Sequence, residues 1–117
     1  MSLEQGQQIV FGPFRLDPTT NQLWQGEQTV ALQPKPLAVL CYLAEHPGWV
    51  VTKEELLKNI WAGIYVTKAV VKECIRAIRE ALGEEATAPR YLETVGREGY
   101  RFIEQEQGST FKVPRPN

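Results

Sequence analysis

Residues 67–82, TKAVVKECIRAIREAL, decide how the rest of the chain is organised. An α-helix turns by about 100° per residue, so the spacing of residues in this stretch indicates which side chains share a face. Four cations fall within roughly 80° of one another, and the apolar residues fall on an adjoining arc. The stretch therefore predicts an amphipathic helix with Glu73 and Glu80 beside its cations. The cations, which we call the basic stripe, are Lys68, Lys72, Arg76 and Arg79, and the apolar residues are Val70, Val71, Cys74, Ile75, Ile78, Ala81 and Leu82.

Two interpretations of this helix remain open from its own sequence. A helix with aligned cations and an apolar back is suited to a groove lined with phosphates. The alternative is a surface helix with a solvated face, on which Arg76 and Glu80 form an i,i+4 pair worth a few tenths of a kcal/mol. The segments that flank the helix distinguish the two.

Composition favours one folded domain. The chain has 117 residues, 43% of them apolar and 23% charged, with a net charge of −1. This charge argues against a protein that coats nucleic acid non-specifically. Nine of the thirteen Lys and Arg residues nevertheless lie between Lys53 and Arg101, which permits a local basic face. The sequence has no apolar run long enough for a membrane span and no signal peptide, so a cytoplasmic location without membrane contact is expected.

Nothing in the sequence predicts an enzyme. Cys41 and Cys74 fall on apolar helix faces and are expected to be small buried hydrophobes. His46 lies in a turn, and one histidine with two scattered cysteines does not form a convincing zinc site. Phosphate-loop, dinucleotide, hydrolase and metalloprotease motifs are absent. Neither catalytic residues nor a cofactor or metal is therefore expected.

The N-terminal third predicts a small antiparallel meander. Short apolar runs are interrupted by turn residues about every six to ten residues. The expected strands are Ile9–Phe11, Phe14–Asp17, Gln22–Gln25 and Thr29–Leu32, and the expected buried residues are Phe11, Phe14, Leu16, Leu23, Trp24, Val30 and Leu32.

The centre of the chain predicts two helices before the basic one. The first begins at Gln33-Pro34 and ends at Pro47-Gly48. The second begins with a capping box, in which Thr52 accepts from the Glu55 amide and Glu55 reaches back to the Thr52 amide. Thr67 is the expected N-cap of the third helix. Two short helices joined by a tight linker, the second carrying the cations, have the order of a helix-turn-helix.

A β-hairpin is predicted directly after the basic helix. Residues 90–95 and 100–103 read as strands, and the glycines at 96 and 99 permit a tight turn. A hairpin in this place is typical of a wing. Its tip presents Arg97, which could enter a minor groove or meet a phosphate, unless it is only a solvated turn residue.

At this point the chain resembles the OmpR/PhoB-type winged-helix DNA-binding domain. The order and spacing of the matching pieces are more specific than any one of them, and the likeness covers about nine tenths of the chain. The pieces are Leu32-x-Pro34-Lys35-x-Leu37, Pro47-Gly48-x-Val50-Val51-Thr52-Lys53-Glu54-Glu55-Leu56, Trp61, Ile75-Arg76-x-Ile78-Arg79-x-Ala81-Leu82-Gly83 and Glu93-Thr94-Val95-x-Arg97-x-Gly99-Tyr100-Arg101-Phe102.

The resemblance implies an α+β winged helix-turn-helix, with an N-terminal antiparallel sheet, three helices and a C-terminal hairpin wing. It places helix 67–82 in the major groove and the wing, residues 91–103, on the minor groove or backbone. Arg76 and Arg79 match arginines of the family's recognition helix, and Thr94 matches a wing threonine that meets phosphate. Lys68 and Lys72 are proposed from the basic stripe alone. Base preference does not carry over, because some family members have an arginine where this chain has Ala77 and a base-reading histidine where it has Cys74.

Two departures from the family are visible. In the family's two-component response regulators a phosphoacceptor receiver domain comes first, whereas here the sheet begins within about ten residues of Met1. An excised output domain, or a regulator with its DNA-binding domain first, is therefore expected. The link from Trp61 to Thr67 looks short, which puts in doubt the contact with RNA polymerase that related proteins make through this loop.

The sequence thus predicts a bacterial transcriptional regulator that binds double-stranded DNA sequence-specifically and can pair on tandem half-sites. The alternative is a winged-helix module that docks an acidic protein partner. Residues 1–8 are expected to be disordered, residues 9–104 to form the domain, and residues 105–117 to be a linker or tail. The expected DNA contacts are Lys68, Lys72, Arg76, Arg79, Thr94 and Arg97, with Lys72 and Arg76 as the base readers.

Overall fold

The computed structural model describes residues 8–84, 87, 89–97 and 99–103. The predicted disordered start, apart from Gln8, and the predicted linker or tail at 105–117 lie outside these residues. The described residues form two antiparallel sheets and three helices, so the α+β prediction is confirmed. The longest of these helices has 14 residues, and none of them has both the length and the hydropathy of a membrane span.

The N-terminal sheet is the predicted meander. Strands β1 (Ile9–Phe11), β2 (Phe14–Asp17), β3 (Gln22–Gln25) and β4 (Gln28–Thr29) pair in chain order. Alternate residues of a strand point to opposite faces, and the inward set is almost completely buried. That set is Phe11, Phe14, Leu16 and Leu23.

Two expectations for this sheet are wrong. The last strand is Gln28–Thr29 and not Thr29–Leu32. The Val30 amide still donates to the Leu23 carbonyl, at 2.8 Å, but the chain then leaves the sheet for a helix that starts at Pro34. Three residues that were expected to be buried are only half-buried, namely Trp24, Val30 and Leu32. Trp24 lies on the outer face beside its cross-strand partner Arg15, whose guanidinium is 5.2 Å from the indole ring.

Aromatic side chains fasten this sheet to the C-terminal half of the chain. The ring of Phe11 lies 5.2 Å from that of Tyr91 and 5.2 Å from that of Phe102, both edge-on. Gly12 makes the approach possible, because a Cβ there would overlap the Tyr91 hydroxyl, and its φ of 58° also favours glycine. The sheet therefore supports the hairpin as well as the helices.

Helix α1 (Pro34–Ala44) and helix α2 (Lys53–Ile60) match their predicted positions. The Thr52 hydroxyl accepts from the Glu55 amide at 3.0 Å, as the capping box requires. The predicted reciprocal bond, from the Thr52 amide to the Glu55 carboxylate, is wrong for the described residues. The Glu55 carboxylate instead accepts a hydrogen bond from the Tyr42 hydroxyl of α1 at 2.6 Å. This bond ties α2 to α1.

Helix α3 runs from Ala69 to Leu82, so the predicted start at Thr67 is two residues early. The N-cap is Lys68, without a side-chain cap, and not Thr67. The amides of Val70 and Val71 donate to carbonyls three residues back, so the chain enters the helix through a tighter turn than an α-helical one. At its other end the helix closes on Gly83, whose φ is 71°.

The buried face of α3 is the predicted apolar arc and packs on α1. Both cysteines are buried, as predicted, and burial raises the pKa of the Cys41 thiol to about 12 and raises that of Cys74. Val70 and Ala81, at one edge of the arc, are only half-buried. Five α3 residues are buried, namely Val71, Cys74, Ile75, Ile78 and Leu82.

The C-terminal hairpin is the predicted wing. Strands β6 (Leu92–Val95) and β7 (Gly99–Phe102) pair with Thr94 opposite Tyr100. A two-residue strand, β5 (Val51–Thr52), pairs with the other edge of β7. Because β5 leads directly into α2, this pairing places the start of α2 beside the wing. The fold is a winged helix-turn-helix.

Candidate nucleic-acid interface

An open groove of ≈ 700 Å³ lies between α3 and the wing, and we call it the basic groove. Cations reach it from three elements, since α2, α3 and the wing turn each contribute. Its five cations are Lys53, Lys72, Arg76, Arg79 and Arg97, and its other residues are Ile75, Glu80, Glu84, Thr94, Gly96 and Tyr100.

Lys72 and Arg76 are both exposed on α3 and both line the basic groove. Their position follows from the helical spacing, because the residues that separate them from α1 are the buried apolar arc. The Arg76 guanidinium lies 3.9 Å from the Glu73 carboxylate, and both side chains are mostly exposed, at 63% and 72%. The ion pair of Arg76 is therefore with Glu73 and not with Glu80. An exposed pair of this kind holds its arginine only weakly.

Arg79 points from α3 to the wing. Its Nη2 donates to the Leu92 carbonyl at 3.0 Å and to the Thr94 hydroxyl oxygen at 3.1 Å. It is half-buried, so most of its charge faces β6 and not open solvent. Arg79 thus joins the helix and the hairpin that form the two walls of the basic groove.

Thr94 is exposed at the groove side of β6. Because its oxygen accepts from Arg79, its hydroxyl hydrogen is directed elsewhere and can serve an incoming acceptor. Arg97 is exposed at the wing turn, as predicted. The carbonyl of Arg97 accepts from Lys53 Nζ at 3.0 Å.

Lys68 lies apart from the other predicted residues. It is the N-cap of α3, and its ammonium is 3.6 Å from the Glu54 carboxylate of α2. It is not among the residues that line the basic groove. The basic stripe of the sequence therefore divides into three cations at the groove and one at the helix start.

Lys53 is the groove cation that sequence reasoning missed. It is the first residue of α2, and its ammonium also lies 6.0 Å from the Tyr100 ring. The capping box fixed its position on α2, but its place beside the wing depends on the pairing of β5 with β7. A two-residue strand gives too little signal for that pairing to be predicted.

Two carboxylates also line the groove. Glu84 is 8% exposed, and its oxygens accept from the amides of Tyr91 and Leu92 at 3.1 Å each and from that of Arg90 at 3.4 Å. Its charge is therefore used to hold the start of the wing. Glu80 is exposed on α3. The groove keeps an excess of positive charge, which suits an anionic partner.

The chain is similar to named transcriptional regulators. Residues 26–102 match the family model described as transcriptional regulatory protein, C terminal. The chain is 28% identical over 112 residues to the transcriptional activator CadC of Escherichia coli, covering 90% of this chain and 22% of that protein. It is 35% identical over 88 residues to the phosphate regulon transcriptional regulatory protein PhoB of Escherichia coli, covering 74% of this chain and 38% of PhoB. It thus spans well under half of either relative.

Solved structures resemble it along most of its length. The DNA-binding domain of RstA from Klebsiella pneumoniae, in complex with the RstA box, superposes with a TM-score of 0.73 at 32% identity. That match covers 84% of this chain and 98% of the RstA domain. The response regulator DrrB of Thermotoga maritima, an OmpR/PhoB homologue, gives 0.75 at 33% identity over 83% of this chain and 44% of DrrB.

Proposed function

Because this chain belongs to the family of transcriptional regulatory protein C-terminal domains, we propose that it binds double-stranded DNA sequence-specifically within a bacterial transcriptional regulator. In this proposal α3 enters the major groove, and the wing, residues 91–103, lies on the minor groove or the backbone. Residues 9–104 would form the binding unit and residues 105–117 a connection. The regulator would act in the cytoplasm, where its DNA is found.

The observation that carries the proposal is the convergence of five cations from three elements on the basic groove. If α3 were only a surface helix with a solvated face, cations of other elements would have no reason to gather beside it. Here Lys53 of α2 and Arg97 of the wing face the same groove as the cations of α3. Phosphates along a duplex present negative charge at regular spacing, and such a surface meets several of them together.

The residues divide by role. Lys72 and Arg76 are the exposed cations in the middle of the basic stripe, so we assign them as the base readers. Arg97 and Lys68 flank them and would meet the backbone. Arg79 holds Thr94 through its oxygen, so Thr94 would donate its hydroxyl hydrogen to a phosphate oxygen while Arg79 supplies charge behind it.

The proposal predicts a steep dependence of affinity on salt. Each neutralised phosphate contributes a log–log slope near −0.9, so three phosphates neutralised by Lys68, Arg79 and Arg97 give a slope of about −3. Fluorescence anisotropy on a duplex enriched from random sequences, between about 50 and 200 mM salt, would measure it. A scrambled duplex is the control and should bind more weakly.

Two results would count against DNA binding. One is an affinity that stays flat across the salt series. The other is a random-sequence selection that enriches no motif, together with displacement of bound duplex by any acidic polymer at equal charge. The second result would favour the module for an acidic protein partner. Pairing on tandem half-sites stays a prediction, and the same selection would detect it as a repeated motif.

We further propose that the loop 61–68, between α2 and α3, contacts RNA polymerase. Its support is surface chemistry, because the loop exposes Tyr65 completely and Ile64 by 55%. Exposed apolar side chains next to a DNA-binding face are suited to a protein partner. The loop is compact, since the Ile64 amide donates to the Trp61 carbonyl at 2.8 Å.

Replacing Tyr65 with alanine should therefore leave DNA affinity within about twofold and lower activated transcription severalfold, because an exposed side chain contributes little to folding. The measurement is transcription in vitro from the selected site, with the full-length regulator and purified polymerase. The same substitution at exposed Trp49, outside this loop, is the control. Unchanged transcription with the Tyr65 variant would reject the contact.

A further inference from the structure

Of the basic stripe, only Arg76 lies on the outermost line of α3. Stepping 100° per residue, Lys72 and Arg79 lie about 105° and 85° from the middle of the buried arc, on the flank that faces the wing. Glu73, Arg76 and Glu80 lie about 155°, 145° and 175° from it. Glu73 is accordingly 72% exposed. The part of α3 most distant from the core thus presents an arginine and two carboxylates, with Glu73 in the N-terminal half of the helix and Glu80 in the C-terminal half.

A carboxylate in this position is unexpected on a surface for nucleic acid. Phosphates border the major groove on both sides and repel it, and the protein already has a net charge of −1. Within the described residues, the ion pair of Glu73 with Arg76 spans 3.9 Å between exposed groups and contributes little to the stability of the fold. The stability of the fold therefore does not explain why a glutamate occupies position 73.

The floor of the major groove offers an explanation. In helix-turn-helix proteins the exposed residues of the N-terminal part of the recognition helix contact base edges. Among the base edges, the N4 amino group of cytosine is the donor that a glutamate accepts from most readily. Glu73 is the fifth residue of α3, in the N-terminal half that such helices direct to the bases.

We propose that Glu73 is a specificity-determining residue that selects cytosine by accepting a hydrogen bond from its N4 amino group, next to the base pair read by Arg76. The inference rests on the proposed binding of duplex DNA by α3. Arg76 and Glu73 would then read neighbouring base pairs together. Arg76 would donate to a purine edge, and Glu73 would accept from the neighbouring pyrimidine. The same carboxylate would weaken binding to every other sequence through repulsion.

The test compares Glu73→Gln with Glu80→Gln in selections from random duplex DNA. Both substitutions remove one negative charge from the exposed side of the same helix, and the two positions are about 10 Å apart along its axis. Both should raise affinity for unrelated duplex. Only Glu73→Gln should alter the motif, by losing a roughly 5- to 100-fold preference for cytosine at one position or exchanging it for adenine, which glutamine reads.

The outcomes are distinct. A motif that changes at one base pair with Glu73→Gln and stays intact with Glu80→Gln supports the inference. A Glu73→Gln motif identical to that of the unsubstituted chain overturns it, and so does the same change with both variants, because charge alone would then account for the effect. If the unsubstituted chain enriches no motif, the proposed function fails first.

Discussion

Replacing Arg76 with alanine is expected to weaken sequence-specific binding of duplex DNA by about 5- to 100-fold, and binding to unrelated duplex by far less. The guanidinium is exposed on the outer side of α3 and can donate two parallel hydrogen bonds to a guanine edge. Non-specific binding loses only one of the cations near the backbone. The fold should be unaffected, since the ion pair with Glu73 is exposed.

The control variants separate charge from geometry. Arg76→Lys keeps the charge but lacks the planar fork, so it should resemble the alanine variant on the specific site and the unsubstituted chain on unrelated DNA. Lys58→Ala removes an exposed cation of α2 that does not line the basic groove, and should change neither affinity much. Equal losses on specific and unrelated duplex with Arg76→Ala would exclude a reading role for this residue.

Replacing Glu84 with alanine is expected to lower the free energy of unfolding by about 3 kcal/mol. Its carboxylate accepts from three consecutive backbone amides at the start of the wing, and the side chain is only 8% exposed. Removing it takes away hydrogen bonds to a charged group and leaves buried donors without an acceptor, each effect being worth about 1–3 kcal/mol. Urea denaturation followed by circular dichroism would measure the loss.

Glu84→Gln is the matched comparison. The amide oxygen can still accept, but without charge its hydrogen bonds are roughly half as strong, so the variant should lose about half as much stability. Glu27→Ala, in the exposed turn between β3 and β4, should change stability by less than about 0.5 kcal/mol. A loss with Glu84→Ala no larger than that of Glu27→Ala would mean that these bonds do not hold the wing.

Periodicity and turn residues were enough to predict most of the fold. The apolar arc of α3 and the alternation of β2 follow from rules that act within a few residues, and both are confirmed. The errors fall where a distant contact decides the outcome. β4 ends early because the chain must reach α1, and the Glu55 carboxylate turns to Tyr42 instead of its own helix end.

The candidate site divides in the same way. The outward positions of Lys72 and Arg76 follow from helical spacing alone. The direction of Arg79 depends on where the wing lies, and the presence of Lys53 depends on the β5–β7 pairing. Nothing in the sequence singles out Glu84, because its role appears only when the first wing strand passes beside it.

Two of the hydrogen bonds that hold the wing, one from α2 and one from α3, have a thermodynamic consequence. Lys53 fixes the carbonyl of Arg97 near its tip, and Arg79 fixes the carbonyl of Leu92 at its base. The hairpin therefore has its orientation before any ligand binds. Because it is already ordered, binding does not carry the conformational-entropy cost of ordering it. Affinity gained in this way needs no additional contact, and it leaves the helix and the wing to engage a duplex as one preorganised clamp.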